Sequence, residues 1–270
     1  MKIITPVTNN PEFIRLQYKT FQKFIPIPFE MIVFNDAKKF PDYTNFNDCT
    51  IHSKIVHMCD TLGIQCINLV NDSHKTMGSA SHRHLDTMRQ ITAFMLQHPD
   101  VYLQIDSDMF LIDTFPIDKF SQIHCAVCTQ SRPGIEYVWP NLFYFDIPKL
   151  LFKEKIDWGF CHGSDTGGKM NEWLKSYLKT EPSQIFKIKH LPSCTWTETS
   201  LPERLKTPHL IDFLQNDVRN TKSGEFWCEL YDSCILHYRA GCNWDRKGVD
   251  VHTVMTKRLG ECLETIVSTS

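Results

Sequence analysis

Apolar positions in this chain fall into short continuous runs that alternate with stripes of helical spacing. Residues 2–7 read as a buried strand closed by Pro6 and the polar Thr8, Asn9, Asn10 and Pro11, after which Phe13, Ile14, Leu16, Tyr18 and Phe21 recur as one face of a helix. Two further runs, 29–34 and 64–70, end in Asn35-Asp36 and Asn71-Asp72. Residues 81–97 place Leu85, Met88, Ile91, Phe94 and Met95 on one side, and Pro99 stops that helix. It leads into the run Val101, Tyr102, Leu103, Gln104, Ile105, which breaks at Asp106-Ser107-Asp108 before Met109, Phe110, Leu111 and Ile112 resume the apolar pattern. Strands alternating with helices imply an α/β fold with a mostly parallel central sheet flanked by helices.

Beyond residue 112 the pattern loosens. Strands are predicted over 126–128 and 142–145, and a short helix after Pro148 through Leu150, Leu151 and Phe152. A helix over 169–177 carries Met170, Trp173, Leu174 and Tyr177, and the Pro-rich stretch 192–220 reads as loops and short helices over a site. Cys234, Ile235 and Leu236 form a last strand leading to His237, and 254–266 is again helical. No internal repeat is visible. The reading is of one catalytic domain over 1–270, with a first half to about residue 112 and a second from about 113.

Composition narrows the function classes. With 42% hydrophobic and 22% charged residues among 270, the chain has a globular composition and a sizeable core. A net charge of -2, with the 29 Lys and Arg scattered, provides no basic field for nucleic acid, so an anion site has to be local and shaped. Eleven Cys without regular close spacing read as reduced thiols, and Cys125-x-x-Cys128 reads as strand interior, because no second pair follows at zinc-site spacing. Residues 1–6 are too short an apolar run for a secretory leader and no run reaches the roughly 18 residues of a membrane span, so a cytoplasmic protein is expected.

The acidic triplet carries the chemistry. Ligands of open α/β sheets sit beyond the carboxyl ends of strands, and two carboxylates there converge on a hard divalent cation, Mn²⁺ or Mg²⁺, bridging a diphosphate. Asp-Ser-Asp also starts turns and caps helices. Against a mere turn, two carboxylates between apolar runs cost on the order of several kcal/mol each without a counter-ion.

Ile105-Asp106-Ser107-Asp108-Met109-Phe110 resembles the D-x-D signature of GT-A glycosyltransferases, which bind a nucleotide-sugar through a metal. The resemblance implies a GT-A-like fold whose first half holds the donor and whose second holds the acceptor. It places Thr5, Pro6 and Val7 at the end of the first strand near the nucleotide, Asn35 and Asp36 near the base or ribose, and Arg83 facing the diphosphate or sugar. Asp106 and Ser107 then contact the donor. Asp106, Asp108 and His237 hold the metal, and Arg239 in Arg239-Ala240-Gly241-Cys242-Asn243-Trp244, with Lys247, offsets diphosphate charge in a closing loop. His82 and His84 also fit a solvated helix terminus, and a lone His after a strand can be structural.

The implied activity is transfer of a sugar from a UDP- or GDP-type donor to a hydroxyl of a glycan or small-molecule acceptor. Asp165 in Gly163-Ser164-Asp165-Thr166-Gly167-Gly168 is the candidate base, which favours inversion over retention, although Asp before a helix is also a common N-cap. Asp146 is a second base candidate. Trp139, Trp158 and Trp196 fit either a sugar face or the core. A nucleotidyltransferase, a metal-dependent phosphohydrolase or a non-catalytic nucleotide-sugar- or carbohydrate-binding module would use the same carboxylates, while the absence of a P-loop pattern argues against a kinase.

Overall fold

The computed structural model describes residues 1–161, 163–242 and 248–269. The first half forms β1 (Lys2–Val7), α1 (Pro11–Phe24), β2 (Glu30–Asn35), α2 (Ile51–Leu62), β3 (Gln65–Asn68), α3 (Ala80–Gln97), β4 (Val101–Ile105) and β5 (Met109–Leu111). The second forms α4 (Ile117–Phe120), β6 (Cys125–Arg132), β7 (Ile135–Asp146), α5 (Met170–Thr180), β8 (Ile185–Lys187), β9 (His190–Leu191), α6 (Pro208–Gln215), β10 (Glu229–Tyr231), β11 (Ile235–His237) and α7 (Val249–Thr269).

Seven strands pair in the order β3-β2-β1-β4-β7-β6-β8. The pairs β1–β2, β1–β4, β2–β3 and β6–β8 are parallel, and β7 runs antiparallel between β4 and β6. The fold is therefore α/β with a mostly parallel sheet. Alternation along each strand splits the core in two. Ile3 and Leu103 face α1, α2 and α7 with Phe13, Ile55 and Leu259, while Ile4, Tyr102 and Phe143 face α3 and α5 with Met88, Ile91 and Trp173. Burial on both faces is what makes these strands continuous apolar runs in the sequence.

Local chemistry sets the element ends. Asn10 caps α1 by accepting the Glu12 N–H at 3.2 Å, with Pro11 at the first helical position, where its missing N–H costs nothing. Gly63 ends α2 in the left-handed region at φ 66°. The chain leaves β1 toward β2 on one side and β4 pairs on the other, and it is beyond the carboxyl ends at such a switch point that open α/β sheets place their ligand crevice.

A second sheet, β5-β11-β10-β9, is antiparallel. β10 and β11 are joined by a tight turn in which Cys234 N–H donates to the Tyr231 carbonyl at 3.0 Å, with Asp232 and Ser233 both at positive φ (43° and 59°). That pairing of positive φ values matches the twist of a hairpin.

The helix read at Leu150–Phe152 is instead irregular chain after a turn at 147–149, followed by a single 3₁₀ turn at Lys153–Lys155; Phe152 itself sits at φ 54°, which stops a helix there. His237 is the last residue of β11 rather than the residue after it. All eleven cysteines are free, Cys125 and Cys128 among the buried ones. Among the described residues no helix is long and apolar enough to cross a membrane.

Candidate active site

The acidic triplet spans the step from one sheet to the other: Asp106 follows β4 and Asp108 precedes β5. The Asp106 carbonyl accepts the Met109 N–H at 3.1 Å, closing a turn, and Gln17 of α1 donates to the carbonyls of Asp106 (2.7 Å) and Met109 (2.9 Å). The turn is thus pinned to α1 through its backbone, which leaves both carboxylates to other partners. Asp106 accepts the Ser107 N–H at 2.9 Å and the amide of Asn141 from β7.

The small sheet supplies the imidazole. β11 lies against β5 with His237 opposite Met109, which sets His237 Nε2 3.2 Å from Asp108 Oδ1. One ligand atom each from Asp106, Asp108 and His237 lie within 4.8 Å of one another. Asp108 Oδ2 accepts the Gly241 N–H at 2.7 Å. Asp108 Oδ1 is buried and, beyond the charge contact with His237, accepts no hydrogen bond from the described residues. Behind His237, Nδ1 meets Glu229 Oε2 at 2.8 Å, because β10 pairs β11 with Glu229 opposite His237.

The electrostatics are those of crowded acids. Burial, then the neighbouring Asp108 carboxylate, raises Asp106 to about 7. Burial alone would lower His237, but Asp108 and Glu229 outweigh it and lift the imidazole to about 10. Burial would raise Glu229, yet its hydrogen bond and charge contact with His237, with Tyr231 and Arg239 behind them, bring it down to about 2. One imidazolium among three carboxylates leaves the cluster negative, and a buried excess of negative charge calls for a cation.

Two carboxylates and one imidazole are a donor set suited to Mn²⁺ or Mg²⁺, each carboxylate oxygen keeps a lone pair, and the buried Asp108 Oδ1 has only the His237 imidazole against it among the described residues. The residues present therefore fit a divalent metal.

Other predicted residues are distributed as follows. Thr5, Pro6 and Val7 are buried at the end of β1, the Thr5 hydroxyl without a hydrogen-bond partner among the described residues. Asn35 donates to the His52 carbonyl and to Asn68, and Asp36 accepts from Lys38 (2.7 Å), Asn71 (3.0 Å) and Thr87 (3.2 Å). Arg83 spends its guanidinium on Asp42 (2.8 Å) and on the carbonyls of Met77 and His74. Ser107 Oγ contacts Cys242 Sγ at 3.0 Å. Arg239 lies with Nε 3.6 Å from Glu229 Oε1 and its guanidinium over the Trp227 ring. Asn243, Trp244 and Lys247 lie outside the described residues.

Asp165 is exposed and accepts the Ser81 hydroxyl at 2.6 Å and the Thr166 N–H at 2.8 Å; α5 begins only at Met170, so Asp165 does not cap it. Next to it Gly167, at φ 99°, lies so close to β7 that an added Cβ would meet the Val138 carbonyl at 2.4 Å. Asp146 pairs opposite Val101, at the other end of β4 from Asp106, and is held by Lys149 at 2.7 Å, which removes it as a base beside the triplet. Trp158 and Trp196 are core residues whose indole N–H groups donate to Thr92 and to the Cys228 carbonyl. Trp139, half-buried, stacks on Tyr231 at 5.8 Å and tilts against His237 at 5.8 Å. Glu229 and Asn141 were not signalled by motif, and Gly241 stood within the expected closing loop without a role of its own; the nearest cue to Glu229 is a charged residue opening the short strand Glu229-Leu230-Tyr231.

No protein-family model matches the chain, and no curated protein matches its sequence. Among solved structures the chain is similar to galactosyltransferase LgtC in complex with donor and acceptor sugar analogues, at 8% identity and a TM-score of 0.39, over 69% of this chain and 73% of that one. A superposition that loose carries no residue's role from one chain to the other.

Proposed function

We propose that the chain is a metal-dependent glycosyltransferase that moves a sugar from a UDP- or GDP-type donor to an acceptor hydroxyl on a glycan or small molecule. One observation carries the reading: three ligand atoms from Asp106, Asp108 and His237 converge within 4.8 Å beyond the end of a central strand, and among the described residues the buried Asp108 Oδ1 is met only by His237 Nε2. Held there, Mn²⁺ or Mg²⁺ would neutralise charge on the departing diphosphate. The chain's own residues do the rest. Gln17 pins the turn through the turn's own backbone carbonyls, and Asn141 and the Gly241 N–H hold the two carboxylates in place. Ser107, the end of β1 at Thr5, Pro6 and Val7, and the cationic Arg239 border the donor. Asn35, Asp36 and Arg83, already bonded within the protein, shape that end of the crevice. Asp165, exposed beside the start of α3, takes the acceptor proton in an inverting transfer. In this reading the first half to about residue 112 serves the donor and the remainder the acceptor.

The test is a panel of nucleotide-sugars with Mn²⁺, read by melting temperature and by donor hydrolysis, since ligands selective for the native state raise stability. Metal-dependent stabilisation by one donor, with slow hydrolysis, supports the transferase. Stabilisation without turnover under any acceptor marks a binding module, and stabilisation by a nucleoside triphosphate with pyrophosphate release marks a nucleotidyltransferase. No response to any nucleotide with Mn²⁺ removes the proposal. In Asp165→Asn, donor binding is retained while transfer falls by about 10² to 10⁴, the usual contribution of general base catalysis.

A further inference from the structure

Glu229 is a carboxylate that no motif singles out, yet its two oxygens join the parts of the site. Oε2 accepts from the Tyr231 hydroxyl at 2.7 Å and meets His237 Nδ1 at 2.8 Å. Oε1 accepts the Ser193 N–H at 3.3 Å and lies 3.6 Å from Arg239 Nε. Its side chain is only 13% exposed. The contact with His237 is built into the backbone: the two residues are directly opposite in the β10–β11 ladder, where side chains on one face stand about 5 Å apart. The imidazole is further confined by Trp139 and Tyr231, whose rings tilt against it at 5.8 and 6.0 Å.

An imidazole that donates Nδ1–H to a carboxylate has its Nε2 lone pair free for a metal, and here Nε2 is the nitrogen that faces Asp108. We infer that Glu229 is a positioning residue: it fixes the tautomer and ring orientation of His237 toward Asp106 and Asp108, and holds Arg239 beside the same cation site. The inference rests on the metal-dependent reading given above. The competing role is a plain structural ion pair, in which the carboxylate serves folding and leaves metal affinity alone.

The experiment uses Mn²⁺ alone as probe, with free Mn²⁺ followed by its electron paramagnetic resonance signal, in the parent protein, Glu229→Ala and Glu229→Gln. Urea unfolding without metal serves as the control for fold. Glu229→Ala is expected to weaken Mn²⁺ binding about 10- to 100-fold, the usual consequence of losing a carboxylate behind a metal-bound imidazole. Glu229→Gln keeps a carbonyl oxygen that accepts Nδ1–H, so it is expected to recover most of that loss while remaining at least about threefold weaker than the parent. An alanine variant with a lowered urea midpoint but Mn²⁺ affinity within about twofold of the parent would overturn the inference in favour of the structural ion pair. If the alanine variant does not fold, Glu229→Gln decides, and parent-like affinity there overturns it equally. A parent protein that takes up no Mn²⁺ overturns the metal site itself, an outcome distinct from intact uptake that ignores residue 229.

Discussion

Asp108→Asn separates the metal site from the fold. In the parent, Asp108 presents Oδ2 to the Gly241 N–H at 2.7 Å and Oδ1 toward His237 Nε2 at 3.2 Å. Asparagine keeps one carbonyl oxygen for Gly241 but turns an NH₂ toward the point where the cation would sit. The fold loses one charge contact with His237 and gains relief on Asp106, whose elevation to about 7 owes to burial and then to Asp108. These oppose each other, so metal-free stability should change by no more than about 1 kcal/mol. With Mn²⁺ and nucleotide at roughly 100 times Kd the parent gains about 2.7 kcal/mol, which for a domain of this size is a rise of roughly 5–10 °C in Tm. Losing a carboxylate ligand should weaken binding by at least about 100-fold, which at the same concentrations leaves about 0.4 kcal/mol, or a rise of about 1 °C. Differential scanning fluorimetry with and without the ligands reads both numbers. An Asp108→Asn protein that keeps the full ligand-induced shift would refute the cation's place at this carboxylate.

Other outcomes follow from the same geometry. An added methyl in Gly241→Ala would lie 2.6 Å from the Tyr238 ring, 2.9 Å from Asp108 Cβ and 3.0 Å from Phe13, so overpacking should cost about 1–3 kcal/mol by urea unfolding and weaken Mn²⁺ binding by moving the Asp108 amide partner. Without metal, His237, raised to about 10, contributes stability that is fully present below its unfolded value of 6.5 and lost as pH rises through about 10. Glu229, depressed to about 2, contributes stability present above 4.5 and lost as pH falls through about 2. Because a ligating imidazole must give up its proton, Mn²⁺ affinity should rise by up to about tenfold per pH unit between about 7 and 9, measured by titration calorimetry in buffers of different ionisation enthalpy.

Legibility in the sequence followed burial. β1, β2, β4 and α3 were readable because strands covered on both faces and a striped helix write their periods into the chain, and the triplet stood out as charge at the end of such a strand. His237 was reachable through the resemblance. The rest of the site was not, because it is assembled by pairing between distant segments: Asn141 reaches Asp106 across 35 positions and Gly241 reaches Asp108 across 133. Strands of two or three residues such as β9 and β10 are too short to show alternation, whereas β11 was found as an apolar run. Asp36 and Arg83 show the converse limit, since sequence position marks a residue as near a crevice but not whether its polar atoms are already engaged.

The turn at Asp232 and Ser233 is, through the ladder it closes, a ruler for the chemistry. Strand side chains alternate with a period of two, so one residue inserted there would present Leu236, and one deleted Tyr238, where the imidazole stands opposite Glu229. Diversification of this protein's surface should therefore spare that corner's length while tolerating change in its composition, and glycine, which accepts positive φ without strain, is the substitution best placed to firm it.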